Sequence, residues 1–366
     1  KYQTNTYHTY VIQTPKREKL IKYLKKNRIG TAIHYPIPLH LQPASKYLGY
    51  KIGSFPKTEE QSKRILTIPV HQNLKKTELK RIVFYLNNFA KNNWPVENKF
   101  DKRSKYLRSL IVRCLVGSNR GHMGSAMSLV EIFRVLYDHI IKFNPKKPKL
   151  ENRDRVILSK GHGCLALYAI LADKKFINLK ELDNVSSFNS LLGGHPEAPK
   201  IKGVEASTGA LGHGFPIAVG MALAAKLKKQ KHKIFVILGD GEINEGSNWE
   251  AALSASKHKL NNLKVILDYN KIQSYGFVKE VLNLEPIKEK WKSFGFNVSE
   301  IDGHNVNKLK NNFKRFYKDN NFNKPSITIC HTIKGAGFPF AENNPNWHHR
   351  NNFTPEEIDN LNKYLT

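Results

Sequence analysis

Two short polar segments contain residues whose types and spacing could bind a metal ion. Asp240 lies in the tetrapeptide Gly239–Glu242, directly after the apolar run Ile234–Leu238. Asn270 comes directly after a second apolar run, Val265–Asp268. The interval between the two runs has room for one helix and its loops. We therefore expect Asp240 and Asn270 to lie side by side at the carboxyl edge of a parallel sheet.

The oxygen atoms that these segments offer are those that Mg²⁺ prefers. Asp240 and Asn270 each provide a side-chain oxygen, and the backbone carbonyl of Ile272 provides a third. Mg²⁺ takes about six oxygen ligands in octahedral geometry and often shares them with phosphates and water. The backbone N–H of Gly241 can approach a phosphate closely. Because Asp-Gly is also a common turn pair, the prediction depends on Asn270 following at this spacing.

Four histidines are candidates for proton transfer. Each lies in or beside a glycine-rich or proline-containing loop; they are His122, His162, His195 and His348. Histidine can take up or release a proton near neutral pH and can stabilise a developing alkoxide. A single histidine is more often structural, and only a fold that converges on one cleft would unite these four.

The elements that must position these residues alternate between strands and helices. Predicted strands are Val156–Leu158, Ile234–Leu238, Val265–Asp268, Phe296–Ile301 and Ile327–Cys330. Ile234–Leu238 is apolar at every position, which is typical of a central parallel strand. Ser128 and Glu131 have the spacing of a capping box that opens a helix ending near Ile141. The fold class predicted is α/β, with a doubly wound parallel sheet.

The first part of the chain differs in character, with few glycines and several prolines. It predicts a strand over Tyr7–Gln13 and helices over Lys16–Lys26 and Thr77–Phe89, which together make a small, incomplete α+β domain. We expect three segments: this domain over residues 1–93, a linker over 94–102, and the α/β domain over 103–366.

Composition bounds the classes of function. The 366 residues carry 60 Lys and Arg against 30 Asp and Glu, a formal net charge of +30. Lysine predominates and is spread along the chain without interleaved aromatic residues, so we expect no nucleic-acid partner. The three cysteines are widely spaced, which suits a reducing compartment and a cytoplasmic protein. The longest mainly apolar stretch is too short to span a membrane.

The α/β part resembles the N-terminal, thiamine-diphosphate-binding half of transketolase. Besides the Asp240 and Asn270 motif, five ordered blocks carry this resemblance: Ser118–His122, Ser159–His162, Gly194–Glu197, Thr208–Gly214 and Glu342–His348. The resemblance implies that the cofactors are thiamine diphosphate and Mg²⁺, with Asp240, Asn270 and Ile272 as metal ligands.

The resemblance also implies roles for further residues. His162 would lie near the diphosphate and the reaction centre, His122 and His348 would contact substrate hydroxyls, and His195 would bind the terminal hydroxyl of the donor. The implied cofactor contacts are His162, Gly209, Leu211, Gly241, Glu245 and Asn270. Of these, Gly209 and Leu211 lie in the loop expected against the aminopyrimidine, and Glu245 would reach across a dimer interface.

Transketolases bind the pyrimidine and the substrate phosphate with residues that follow the segment seen here. The resemblance is to the split type, in which a second polypeptide supplies this C-terminal half; a truncated chain would lack it altogether. The implied partners are that pyrimidine-binding half, in a homodimer or heterotetramer, and sugar phosphate substrates.

Residues 1–93 resemble the C-terminal domain of DegT/StrS-type sugar aminotransferases. The similarity is carried by Tyr10–Ile12, Gly30–Pro43 and Phe55–Pro56. The domain that would supply the Schiff-base lysine is absent, so we expect no aminotransferase activity. The junction is interpreted as a gene fusion or a fragment of a longer fused chain.

Two other functions remain open from the sequence. The chain could be a component of another thiamine-diphosphate enzyme, of the deoxyketose synthase or dehydrogenase type, although the four histidines favour ketol transfer. It could also be a basic nucleic-acid-binding or scaffold protein driven by the +30 charge.

Overall fold

The computed structural model describes residues 8–93, 100–274, 276–318 and 323–363. The chain packs into two compact units, Lys1–Asn98 and Lys99–Thr366. Tyr7, most of the predicted linker and the last three residues lie outside the described ranges. In the part of the chain that is described, no helix is both long enough and apolar enough to cross a membrane.

The first unit is a two-stranded antiparallel sheet packed by helices. Its elements are β1 Tyr10–Gln13, α1 Arg17–Lys26, α2 Pro56–Arg64, β2 Ile65–Ile68 and α3 Lys76–Asn93. β1 pairs with β2 from Tyr10 opposite Ile68 to Gln13 opposite Ile65. The core is small because only one apolar stripe of α1, at Leu20 and Leu24, is buried against the sheet.

The second unit contains the remaining helices and strands. The helices are α4 Lys102–Ser118, α5 Met123–Met127, α6 Val130–Val135, α7 Cys164–Asp173, α8 Gly214–Leu227, α9 Gly246–Lys257, α10 Val278–Val281, α11 Ile287–Ser293, α12 Val306–Lys318 and α13 Pro355–Lys363. The strands are β3 Arg120–Gly121, β4 Arg155–Leu158, β5 Ile234–Gly239, β6 Leu263–Tyr269, β7 Ile272–Gln273, β8 Gly276–Phe277, β9 Asn297–Asp302, β10 Ser326–His331 and β11 Arg350–Asn351.

A five-stranded parallel sheet forms the centre of this unit, in the order β4-β5-β6-β10-β9. Alternate residues of each strand enter two separate apolar cores. Val156 and Leu158 pack on the face covered by α4, α6, α7 and α12, whereas Ile157 packs on the face covered by α8, α9 and α11. Helices on both faces of a parallel sheet confirm the predicted doubly wound α/β architecture, and all five predicted strands are present.

One local prediction is wrong. Ser128 and Glu131 do not form a capping box, because α5 ends at Met127 and α6 begins at Val130 with no side-chain cap. The Ser128 hydroxyl instead donates to the buried Asp268, at 2.7 Å. Glu131 is fully buried and accepts two hydrogen bonds from Arg108, at 2.6 and 3.0 Å. A buried charge partner thus takes the glutamate that a cap would need.

Candidate functional site

Asp240 and Asn270 lie at the ends of the adjacent strands β5 and β6. Gly239, just before Asp240, pairs in register with Asp268, two residues before Asn270. Asp240 Oδ2 accepts from the backbone N–H of Lys271 at 2.5 Å, and Asn270 Oδ1 accepts from Ile272 N–H at 3.1 Å. The two side chains therefore bind consecutive amides of one turn, which holds them together at the carboxyl edge of the sheet.

Asp268 lies beneath this turn and is completely buried. It accepts hydrogen bonds from the ammonium of Lys160 at 2.5 Å, from the Ser128 hydroxyl at 2.7 Å and from the hydroxyl of Thr332. The Asn270 amide also donates to it, at 3.3 Å. These bonds keep Asp268 ionised, since they lower its pKa against the effect of burial.

Asp240 is in a different electrostatic position. It is 3% exposed, and burial together with the neighbouring Asp268 raises its pKa to about 6. A divalent cation would relieve both effects, because it supplies the positive charge that favours the ionised carboxylate. The surroundings of Asp240 therefore suit a bound metal ion.

A second buried lysine, Lys334, connects the metal-site loop to the histidines. Its Nζ donates to the carbonyl of Ile272 at 2.8 Å and to Nδ1 of His348 at 2.6 Å. His348 Nδ1 is then an acceptor, so the ring proton is on Nε2, which faces the Ser274 hydroxyl at 3.3 Å. Lys160 and Lys334 are each about 1% exposed and place two positive charges beside Asp240.

The four predicted histidines converge on one cleft. The His122 ring centre lies 5.4 Å from that of His162, 6.3 Å from that of His195 and 5.3 Å from that of His348. His349, which the sequence left unassigned, is closer still, at 4.4 Å from His122. More than two hundred residues separate the first of these histidines from the last, so the fold alone brings them together.

The cleft keeps its histidines uncharged at neutral pH. Burial, followed by the positive potential of His349 and His195, lowers the pKa of His122 to about 3. Burial and Lys334 lower the pKa of His348 to about 3, and burial and Lys160 hold the pKa of His162 well below its usual range. Burial alone lowers the pKa of His195. Neutral imidazoles can each donate one hydrogen bond and accept another.

Two loops come into backbone contact to form the wall of this cleft. A Cβ added to Gly161 would lie 2.7 Å from the backbone of both Thr208 and Gly209, so only glycine fits there. The Thr208 hydroxyl donates to the carbonyl of Leu158 at 2.7 Å, at the end of β4. Gly209 has φ +157°, and a Cβ there would lie 3.0 Å from the His195 ring. This packing places Gly209 beside His195 and His162.

The remaining predicted residues lie along the same edge. Gly241 donates its backbone N–H to Asp240 Oδ1 at 2.8 Å, and a Cβ added to it would meet Gln273 at 2.9 Å. Leu211 is half-buried in the loop after Gly209. Glu245 is exposed at the start of α9, with its Cβ close to Gly212. Its exposure leaves it available to another chain.

Sequence reasoning did not assign the charged residues beneath the cleft. Lys160 stood in one of the recognised blocks without a role, and Asp268 was counted only as the end of a strand. Lys334 follows β10, at the same sheet edge as Asp240, and that location could have identified it.

No group of three histidine, cysteine, aspartate or glutamate side chains is arranged to bind a metal ion in the described ranges. The histidine cluster is thus not a metal centre of that kind. The oxygen donors at Asp240 are instead one carboxylate, one amide and one backbone carbonyl, which suits a hard cation that shares its ligands with phosphate.

Comparison with known proteins agrees with this geometry. Residues 101–366 match the family model described as transketolase, thiamine diphosphate binding domain. One of the two subunits of an apulose-4-phosphate transketolase from Actinobacillus succinogenes is 42% identical over 254 residues, which cover 69% of this chain and 91% of that protein. A 6-deoxy-6-sulfo-D-fructose transketolase subunit from a Clostridium species is 40% identical over 222 residues, which cover 61% of this chain and 80% of that protein.

Solved transketolases share the fold. The enzyme from Campylobacter jejuni superposes with a TM-score of 0.66 and 31% identity, over 74% of this chain. A variant of the Pichia stipitis enzyme gives a TM-score of 0.67 at 28% identity, over 73% of this chain. The match spans 43% and 40% of those two chains, so this protein corresponds to less than half of a full-length transketolase.

The first unit has a separate relationship. Residues 1–87 match the model of the DegT/DnrJ/EryC1/StrS aminotransferase family, as the sequence indicated. The larger match, over residues 101–366, decides the family of the chain: this protein belongs to the transketolases and carries their thiamine-diphosphate-binding domain.

Proposed function

We propose that this chain is the diphosphate-binding subunit of a split transketolase that transfers a two-carbon ketol unit between sugar phosphates. The observation that carries the proposal is the meeting of two groups at one sheet edge. Asp240 and Asn270 hold consecutive amides of one turn, and the four-histidine cleft is joined to that turn through Lys334.

In this proposal Mg²⁺ is bound by Asp240, Asn270 and the carbonyl of Ile272. The buried carboxylate with a raised pKa, the amide and the carbonyl form a suitable donor set. Lys334 donates to the same Ile272 carbonyl, which has a second lone pair for the ion. Lys160 and Lys334 would balance the negative charge of the diphosphate, and Gly241 would let the backbone approach it.

Thiamine diphosphate supplies the electron sink that the transfer of a ketol unit requires. The histidines of this chain bind and orient the sugar. His195 would bind the terminal hydroxyl of the donor, and His122 and His348 would contact further hydroxyls or move their protons. His162 would lie nearest the cofactor. Their low pKa values leave each ring neutral and able to accept a proton from a hydroxyl.

The pyrimidine half of the site would come from another polypeptide. Two relatives that share most of their length with this chain are named as transketolase subunits. The proposed contacts on this side are Gly209 and Leu211 against the aminopyrimidine and Glu245 across the interface between chains. We propose a homodimer of this chain or a heterotetramer with the pyrimidine-binding half.

The first unit has no part in this chemistry. Its exposed large apolar side chains include Tyr35, Leu39, Tyr47 and Ile52, which are 67 to 84% exposed. We propose the boundaries 1–93, 94–102 and 103–366 for the aminotransferase-like segment, the linker and the thiamine-diphosphate domain. All three cysteines are buried and free, which supports a cytoplasmic location.

Product analysis tests the reaction class. The chain is co-produced with the pyrimidine-binding half of a transketolase, and the complex is supplied with thiamine diphosphate, Mg²⁺ and a ketose phosphate plus an aldose phosphate. We expect sugar phosphates lengthened and shortened by two carbons. Pyruvate in place of the ketose is expected to give no product. Turnover of pyruvate without ketol transfer would replace the proposal with a deoxyketose synthase or dehydrogenase function.

A further inference from the structure

A small polar cavity lies at the opposite edge of the central sheet from the cofactor site. It has a volume of about 130 Å³ and lies where β6, β9 and β10 begin, under α12. The polar side chains that matter are three cations and three neutral groups: Lys264, Arg315, Lys324, Ser299, Asn312 and Ser326. The cavity has the volume of about four water molecules.

Lys264 is the unusual member of this set. It lies on β6 in register with Ser326 and is only 4% exposed. Within the described residues, Lys264 has neither a carboxylate partner nor a hydrogen bond. Its ammonium has the ring of Phe316 at 5.7 Å, a weak cation–π contact. Burial and the nearby Arg315 lower the pKa of Lys264 to about 7.

Ser326 also has an unused polar atom in the cavity wall. Its hydroxyl is buried and has no hydrogen-bond partner in the described structure. The neighbouring polar groups are already satisfied. The Thr328 hydroxyl donates to Asn312 Oδ1 at 2.6 Å, and the Asn312 amide donates to Ser299 Oγ at 2.9 Å. Lys264 and Ser326 are therefore left to a group that enters the cavity.

The chemistry of that group follows from charge. Three cationic side chains line the cavity, and no acidic side chain does so among the described residues. A water molecule could accept hydrogen bonds from Lys264 and Ser326, but it would not offset the accumulated positive charge. An oxyanion would do both, because its several oxygens accept charge-assisted hydrogen bonds from separate donors.

We propose that this cavity binds a phosphate group, either as inorganic phosphate or as the phosphate of a small monoester. Lys264 and Ser326 contact it at the bottom of the cavity, and Lys324, which is exposed, contributes charge at the entrance. This site is separate from the diphosphate site, since the two lie at opposite ends of the same parallel strands. It does not depend on the transketolase proposal.

Calorimetric titration of the intact chain with inorganic phosphate, and separately with glycerol phosphate, tests the proposal at constant ionic strength. The variants are Lys264→Met, Ser326→Ala and the control Lys228→Met, which removes an exposed lysine at the end of α8. We expect Lys264→Met to weaken binding at least about tenfold, Ser326→Ala to weaken it less, and the control to bind like wild type. Preference for one of the two ligands identifies the source of the phosphate.

A second measurement avoids dependence on the folding of the variants. The pKa of Lys264 is followed by NMR of lysine carbons labelled with ¹³C in the wild-type chain, and phosphate is expected to raise it whereas chloride at the same ionic strength is not. Equal binding by wild type and Lys264→Met would overturn the proposal, as would an unchanged Lys264 pKa. Binding at the diphosphate site would be equal in both proteins and would therefore not mimic the effect.

Discussion

Replacing Asp268 with asparagine removes one negative charge from the buried network beneath the cofactor site. Lys160, its partner at 2.5 Å, is 1% exposed and would keep its ammonium in the protein interior without a counter-ion. Breaking one side of a buried ion pair typically costs about 3–5 kcal/mol, because the remaining charge is not solvated. Asparagine has nearly the same shape, so the change in packing contributes little.

The expected loss is large enough for a thermal scan. For a domain of this size, 3–5 kcal/mol corresponds to a fall in Tm of roughly 6–20 °C. Circular dichroism of the wild-type chain and Asp268→Asn would measure it. The matched control is Glu289→Gln, which breaks an exposed Glu289–Lys292 pair and is expected to cost at most about 1 kcal/mol. A variant Asp268→Asn that is as stable as Glu289→Gln would refute the reasoning.

Three further predictions concern single residues. The His122 ring, with a pKa lowered to about 3, should show no titration by NMR between pH 5 and 8; a midpoint near 6.5 would contradict the assignment. Lys264, with a folded pKa of about 7, takes up its proton less readily than in the unfolded chain. Stability should therefore rise by up to about 1.4 kcal/mol per pH unit between pH 7 and 10, and chemical denaturation of Lys264→Met should lack that contribution. Gly161→Ala should lower Tm and thiamine diphosphate affinity because its methyl group meets backbone at 2.7 Å, whereas Gly220→Ala, with open space in α8, should leave Tm unchanged or raised; equal Tm changes would count against the steric argument.

The fold was predictable because its strands are short and almost wholly apolar. Ile234–Leu238 has no polar residue, which is possible only for a strand covered on both faces, and it is the second of five strands in the sheet. The convergence of the histidines was inferred from a family resemblance, since spacing alone could not unite His122 with His348.

The charges beneath the site could not be predicted from local patterns. The partner of Lys160 is Asp268, 108 residues away, and such pairs arise only from the packing of separate strands. The failed capping box has the same cause. Glu131 had the right spacing for a cap, but Arg108 on α4 pairs with it in the interior. Long-range electrostatics therefore decided what local propensity could not.

The central claim is that Asp240 and Asn270 bind one Mg²⁺ ion that holds the diphosphate of the cofactor. Isothermal titration of the chain with thiamine diphosphate, in the presence of its pyrimidine-binding partner, tests it with and without Mg²⁺. We predict binding that requires the ion and is abolished in Asp240→Ala, while Glu289→Gln binds like wild type. Equal affinity without Mg²⁺, or undiminished binding by Asp240→Ala, would contradict it.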